Sequence, residues 1–141
     1  MKQTVAFLPG LLCDAALFTA QIGALQAAGH STHVADFAGE DQVSIPAMAA
    51  RLIDELPERF SLVALSMGGY VALEVLAQAP ERVERVALLD TNARADDPAA
   101  SARRRDLLRL VERGRFLGVA PRLMPLYLHC LLYTSPSPRD R

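Results

Sequence analysis

Short, solidly apolar runs alternate with longer amphipathic stretches along most of this chain. Thr4 to Leu8 (TVAFL) is the first run, and it stops at Pro9-Gly10. Such a run reads as a buried strand that ends in a tight loop. Ala15 to Ala28 has helical composition, with Gly29 placed to end it in a left-handed cap. Thr32 to Phe37 alternates loosely and is expected to be a second strand. Ile45, Met48, Ala49, Leu52, Ile53 and Leu56 recur at helical spacing and predict a helix over residues 44–56. Ser44 can cap that helix, Pro46 is tolerated in its first turn, and Pro57 ends it.

Leu62 to Leu65 is the next buried strand. Gly68 to Ala79 is a helix that is apolar nearly all round, hence expected to be central, and Pro80 closes it. Val83 to Leu89 is a fourth strand, running into Asp90-Thr91-Asn92. Strands alternating with helices imply right-handed βαβ crossovers and a mostly parallel sheet covered on both faces. The fold class is therefore α/β, with a doubly wound sheet of which residues 1–93 form a part. After Asn92 the pattern changes. Asp96-Asp97-Pro98 is a loop, and Ser101 to Arg113 an amphipathic helix with Leu107, Leu108, Leu110 and Val111 on one side. Arg103, Arg104, Arg105 and Arg109 lie opposite, as a solvated face would. Gly114 ends this helix, and a proline-interrupted helical stretch follows. Residues 94–129 are thus expected to begin a helical cap set on the core.

Composition narrows the classes. The chain has 141 residues, 51% of them hydrophobic, and a formal net charge of −1. One ordinary domain with a real core fits this, and neither nucleic acid nor an acidic membrane is expected as a partner. No apolar run is long enough to span a bilayer. The start, MKQTVAFLPG, lacks a signal-peptide pattern, so a cytoplasmic location is expected. Cys13 and Cys130 make neither a disulfide framework nor a metal site, and no cofactor is implied.

One stretch carries chemistry. In SLVALSMGGYVALEVLA, Ser66 stands between an apolar strand and a helix, with Ala64 and Gly68 two residues to either side. Small residues suit a strained turn crowded by its neighbours. That turn exposes a hydroxyl at the strand's carboxyl end, beside the positive end of a helix. Backbone N–H groups there can stabilise an oxyanion. Met67 supplies one candidate N–H. Leu11, in the Pro9-Gly10-Leu11-Leu12 loop after the first strand, supplies the second. The bland alternative for Ser66 is an ordinary helix N-cap, and for Leu11 simple loop packing. Tyr70 and Phe18 can line a pocket, though core packing accounts for both.

These residues resemble the α/β-hydrolase family. Its nucleophile elbow, G-x-S-x-G, corresponds to Ala64-Leu65-Ser66-Met67-Gly68, with Ala64 where Gly is usual and Gly69 following. The Pro9-to-Leu12 loop is similar to the family's oxyanion loop, and the segment after Asn92 to the start of its cap. The resemblance spans residues 4 to about 128. It implies a serine hydrolase of the small carboxylesterase type, acting on a small-molecule acyl substrate without a metal or organic cofactor. An acyltransferase, a lyase-like member and a non-catalytic binding protein on the same fold remain open. Ser at the elbow argues against the Asp-nucleophile chemistry of the dehalogenases.

The resemblance also implies a chain order of Ser, then Asp or Glu, then His. His30 and His33 precede Ser66, at the strand ends away from the elbow. Only His129 follows it, at the end of the cap-like segment. Asp90, after the fourth strand, is a weak candidate for the acid and otherwise a loop-capping carboxylate. The base is therefore expected to lie outside this chain, and the chain by itself is expected to be inactive. The tail gives a reason. Residues 130–140, CLLYTSPSPRD, look like a transposase sequencing adapter translated in frame. On that reading 130–141 are not native and the parent gene continues past about His129.

Overall fold

A computed structural model of the protein describes residues 2–38 and 44–114. Four parallel strands form its sheet: β1 (Thr4–Leu8), β2 (Ser31–Val34), β3 (Phe60–Leu65) and β4 (Val83–Leu89), in the order β2-β1-β3-β4. Three helices connect them: α1 (Thr19–Ala27), α2 (Ile45–Glu55) and α3 (Met67–Gln78). The expected alternation of strand and helix is therefore present. The chain divides into two units, Met1–Ala93 and Arg94–Arg141.

The solid apolar run of β1 has a structural cause. Its side chains alternate between the two faces of the sheet, and both faces are covered. Ala6 and Leu8 join Leu62, Ala64, Leu52 and Val71 on the face packed by α2 and α3. Val5 and Phe7 join Phe18 on the other face, with Ile22 and Leu25 of α1 against them. Phe7 and Phe18 meet with ring centroids 4.9 Å apart, within the range of favourable aromatic pairs.

Several boundaries differ from the sequence expectation. The first helical stretch opens with a 3-10 turn, Ala15–Phe18, before α1 starts at Thr19. Asp14 caps that turn, its Oδ1 accepting from Ala16 N at 2.9 Å. Gly29, at φ 85, ends α1. The His30 N–H donates to Leu25 O, and the Gly29 N–H to Gln26 O. That is the paired bonding of a Schellman cap. β2 is an edge strand and stops at Val34 rather than Phe37; beyond it Ala35 N still donates to Phe7 O. β3 begins two residues earlier than expected, at Phe60, which is fully buried.

β4 departs most from a sheet covered on both faces. Among the described residues it pairs with β3 alone, and Leu88 and Leu89 are each 45% exposed. Similarly, α3 is less central than its composition suggested. It buries Val71, Ala72 and Val75, while Leu73 and Leu76 are half-buried.

Ser44 caps α2, its hydroxyl accepting from Ala47 N at 3.3 Å, and Pro46 stands in the first turn. Ser44→Ala is expected to lower the unfolding free energy by about 1 kcal/mol, read from the urea midpoint. An unchanged midpoint would show the cap to be idle.

In the second unit α4 (Pro98–Glu112) starts three residues before the expected helix, because Asp97 caps it by accepting from Ala100 N. Leu107 and Leu110 are half-buried and Leu108 and Val111 exposed, while Arg103, Arg104 and Arg105 face solvent as expected. Among the described residues no helix is long and apolar enough to cross a membrane, and no group of His, Cys, Asp and Glu could hold a metal.

Candidate active site

Chain order fixes where a site can form. From β1 the chain moves outward to β2, then returns past β1 to β3 and β4 on the other side. The order reverses between β1 and β3. Loops leaving the carboxyl ends of these two strands diverge there and leave a crevice. Ser66 directly follows β3 and the Pro9–Leu12 loop directly follows β1, so both lie at this point.

Ser66 sits in a backbone conformation that L-residues rarely adopt, with φ 51 and ψ −112. Strain of this kind costs about 1–3 kcal/mol and persists only where surrounding contacts enforce it. The enforcing contacts are visible. Ser66 N donates to Leu89 O at 3.0 Å, tying the turn to the end of β4. Ser66 O accepts from Gly69 N at 3.0 Å and from Thr91 Oγ1 at 2.8 Å. Ser66 stands at the N-cap position of α3, yet its side chain makes no capping hydrogen bond. The hydroxyl is therefore not spent on the helix, as an ordinary cap would be.

The glycines explain how closely the elements approach. A Cβ at Gly68 would lie 2.2 Å from Leu8 O and 2.8 Å from Pro9 O. The first turn of α3 thus packs directly on the backbone leaving β1. A Cβ at Gly10 would lie 3.4 Å from the Ser66 Cβ, so the β1 loop abuts the serine. That loop closes as a turn from Gly10 O to Cys13 N at 3.1 Å, with Leu12 at φ 63. Leu11 lies within this turn and is 59% exposed. Gly10 of the β1 loop and Met67, the residue after the serine, therefore adjoin Ser66, and Leu11 is one residue further along that loop.

Beside them opens a cavity of about 530 Å³ with mostly apolar walls, among them Leu11, Leu12, Val34, Phe37, Met48 and Met67. Its size is that of a small-molecule pocket. Of the two aromatic candidates, Phe18 lies in the core against Phe7, and neither it nor Tyr70 lines this cavity.

Asp90 follows β4 at φ 44 and is exposed. The described histidines lie elsewhere. His30 precedes β2, its Nδ1 accepting from Gln3 N at 3.3 Å. His33 lies on β2 with Nε2 3.3 Å from Glu55 Oε2, at the end of α2 that leads towards the start of β3. His129 and the 130–141 tail lie outside the described residues. Sequence reading overlooked Thr91, because its value lies in contacts with Ser66 and Gly69 that only the fold creates.

Ser66→Gly separates strain from chemistry. Glycine adopts this conformation freely, and the relief exceeds its entropic cost. Ser66→Gly is expected to raise the unfolding free energy by about 1 kcal/mol, measured by urea titration. A loss of stability would show that Ser66 is unstrained.

No family model matches the chain, and no curated protein matches it. Solved structures do. A thermophilic esterase from Thermogutta terrifontis is 29% identical with a TM-score of 0.74, over 89% of this chain and 50% of that one. A hydrolase from Pseudomonas aeruginosa PA01 is 21% identical with a TM-score of 0.77, over 99% of this chain and 56% of that one. An extracellular alpha/beta-hydrolase from a Paenibacillus species is 22% identical with a TM-score of 0.61, over 79% of this chain and 52% of that one. The chain thus spans about half the length of these structures. It carries an α/β-hydrolase fold in part, and its structural neighbours are esterases and hydrolases.

Proposed function

We propose that this part of an α/β-hydrolase fold belongs to a serine hydrolase of small carboxylic esters or similar acyl compounds, with Ser66 as the nucleophile. The observation that carries the reading is the strained Ser66 at the switch point of the sheet, its hydroxyl unused by the helix it begins. Ser66 Oγ attacks the acyl carbonyl and gives its proton to a general base. The carbonyl oxygen becomes an oxyanion, held by the N–H groups of Met67 and Leu11. Collapse of that intermediate expels the alcohol, which takes the proton back, and leaves the acyl group on Ser66. Water then attacks with the same base and releases the carboxylic acid. The acyl or alcohol group rests in the apolar cavity beside Leu11 and Met67. The base and its partner acid come from chain beyond the described residues; Asp90 is a weaker candidate for the acid.

A binding protein on the same fold is the second reading. It draws on the placement of both described histidines away from Ser66. Turnover separates the two. A long, unfragmented read of the source DNA across the codons for His129 and Cys130 supplies the uninterrupted reading frame. The protein translated from it is expected to hydrolyse p-nitrophenyl acetate and to carry a late Asp or Glu and a late His. A frame that ends as CLLYTSPSPRDR, with no turnover, favours the binding reading.

A further inference from the structure

The nucleophile motif explains Gly68 but leaves Gly69 without a role. The structure supplies one. A Cβ at Gly69 would lie 2.3 Å from Thr91 Oγ1, 2.5 Å from its Cγ2 and 2.6 Å from its Cβ. Gly69 is bare so that the Thr91 side chain can lie against the first turn of α3. From there Thr91 Oγ1 donates to Ser66 O at 2.8 Å, across 25 positions of sequence.

The carbonyl it holds has a second half. Ser66 C=O and Met67 N–H belong to one planar peptide unit and point in opposite directions. Whatever fixes the carbonyl fixes the N–H. The helix contributes one bond to that oxygen, from Gly69 N at 3.0 Å, and Thr91 contributes the other. Two donors on the carbonyl also polarise the amide, which strengthens its N–H as a donor. Asp90, at φ 44, turns the chain at the end of β4 so that the next residue reaches back to the elbow. The same strand end holds the preceding peptide through Leu89 O and Ser66 N at 3.0 Å. Both peptides flanking the serine are thus anchored to the end of β4.

We infer that Thr91 is a positioning residue of the oxyanion hole, aiming the Met67 N–H through the Ser66 carbonyl. This rests on the proposed role of Ser66 as nucleophile. Thr91 touches no reacting atom. Its effect falls on the transition state, where the oxyanion exists, and not on ground-state binding.

The test uses the protein from the uninterrupted reading frame, with p-nitrophenyl acetate as substrate and Ser66→Ala in parallel. Thr91→Val keeps the shape and removes the donor. Its kcat is expected to fall about tenfold with KM unchanged, the rate equivalent of one net hydrogen bond. Thr91→Ser keeps the donor and is expected to stay within about twofold of the parent, since only a methyl group is lost. Affinity for a phenylboronic acid, which forms a tetrahedral anion on the serine, is expected to fall with kcat. Thr91→Cys, a far weaker donor of similar size, gives the same reading if the valine variant folds poorly. Full kcat in Thr91→Val, an equal loss in the valine and serine variants, or a loss confined to KM overturns the inference. An inactive Ser66→Ala beside a fully active Thr91→Val overturns it alone. An active Ser66→Ala overturns the nucleophile assignment and this inference with it.

Discussion

Ser66→Ala is expected to lower kcat for a simple acyl ester by about 10⁴-fold or more, the scale on which serine nucleophiles fail when removed. The hydroxyl removed is the proposed attacking group. The alcohol oxygen is the only part of residue 66 lost, and alanine leaves the proposed oxyanion donors of Met67 and Leu11 in place. Residual rate then measures what binding and the oxyanion hole do alone. Stability should barely change, because the hydroxyl makes no capping bond, and surface-like changes of this kind stay within about 0.5 kcal/mol. The two readouts belong together: ester turnover by absorbance and unfolding by urea. A variant that retains turnover contradicts the assignment. A variant that loses its fold along with turnover contradicts the expectation that the hydroxyl carries no structural bond.

Gly68→Ala is expected to cost at least about 3 kcal/mol, at the upper end of overpacking penalties. Its new Cβ would sit 2.2 Å from Leu8 O, 2.6 Å from Leu8 C and 2.8 Å from Pro9 O. All three are backbone atoms. β1 cannot retreat, because it is paired to β2 on one side and β3 on the other. The strain must instead move α3 or the Pro9–Leu12 loop, and either movement shifts the two proposed oxyanion donors, Met67 and Leu11, relative to each other. A domain holds only about 5–15 kcal/mol in all, so the variant should be visibly less stable and nearly inactive. Gly23→Ala in α1 is the control. Nothing lies within 4 Å of a Cβ there, and alanine in an exposed helix is expected to be neutral or to gain up to about 1 kcal/mol. Equal urea midpoints for the two variants would contradict the close packing of α3 on β1.

How much of this was legible in sequence depends on the range of the interactions. β1 was readable to the residue, because burial on both faces leaves no polar position between Thr4 and Leu8 and Pro9 stops it. The bounds of α2 followed from Ser44 and Pro57, which act locally. The Ser66 turn was readable because its demand for small neighbours is written within two residues on either side. The break between the 3-10 turn and α1 was not readable, since Phe18 is held by Phe7 from another element. The exposure of β4 was not readable either: its second half, Val86-Ala87-Leu88-Leu89, is as apolar as a covered strand, and only the sheet order shows it paired on one side among the described strands. Thr91 was hidden for the same reason. A threonine after a strand carries no signal of its own, and its meaning depends on a bond to a residue 25 positions away.

Covalent labelling reads the activation of the Ser66 hydroxyl itself. The protein from the uninterrupted reading frame is treated with a fluorophosphonate and digested, and the adduct is located by mass spectrometry. One phosphonyl adduct is expected, on Ser66, absent after Ser66→Ala and after denaturation. A folded protein that carries a late His and a late acid yet takes no label at Ser66 would contradict it.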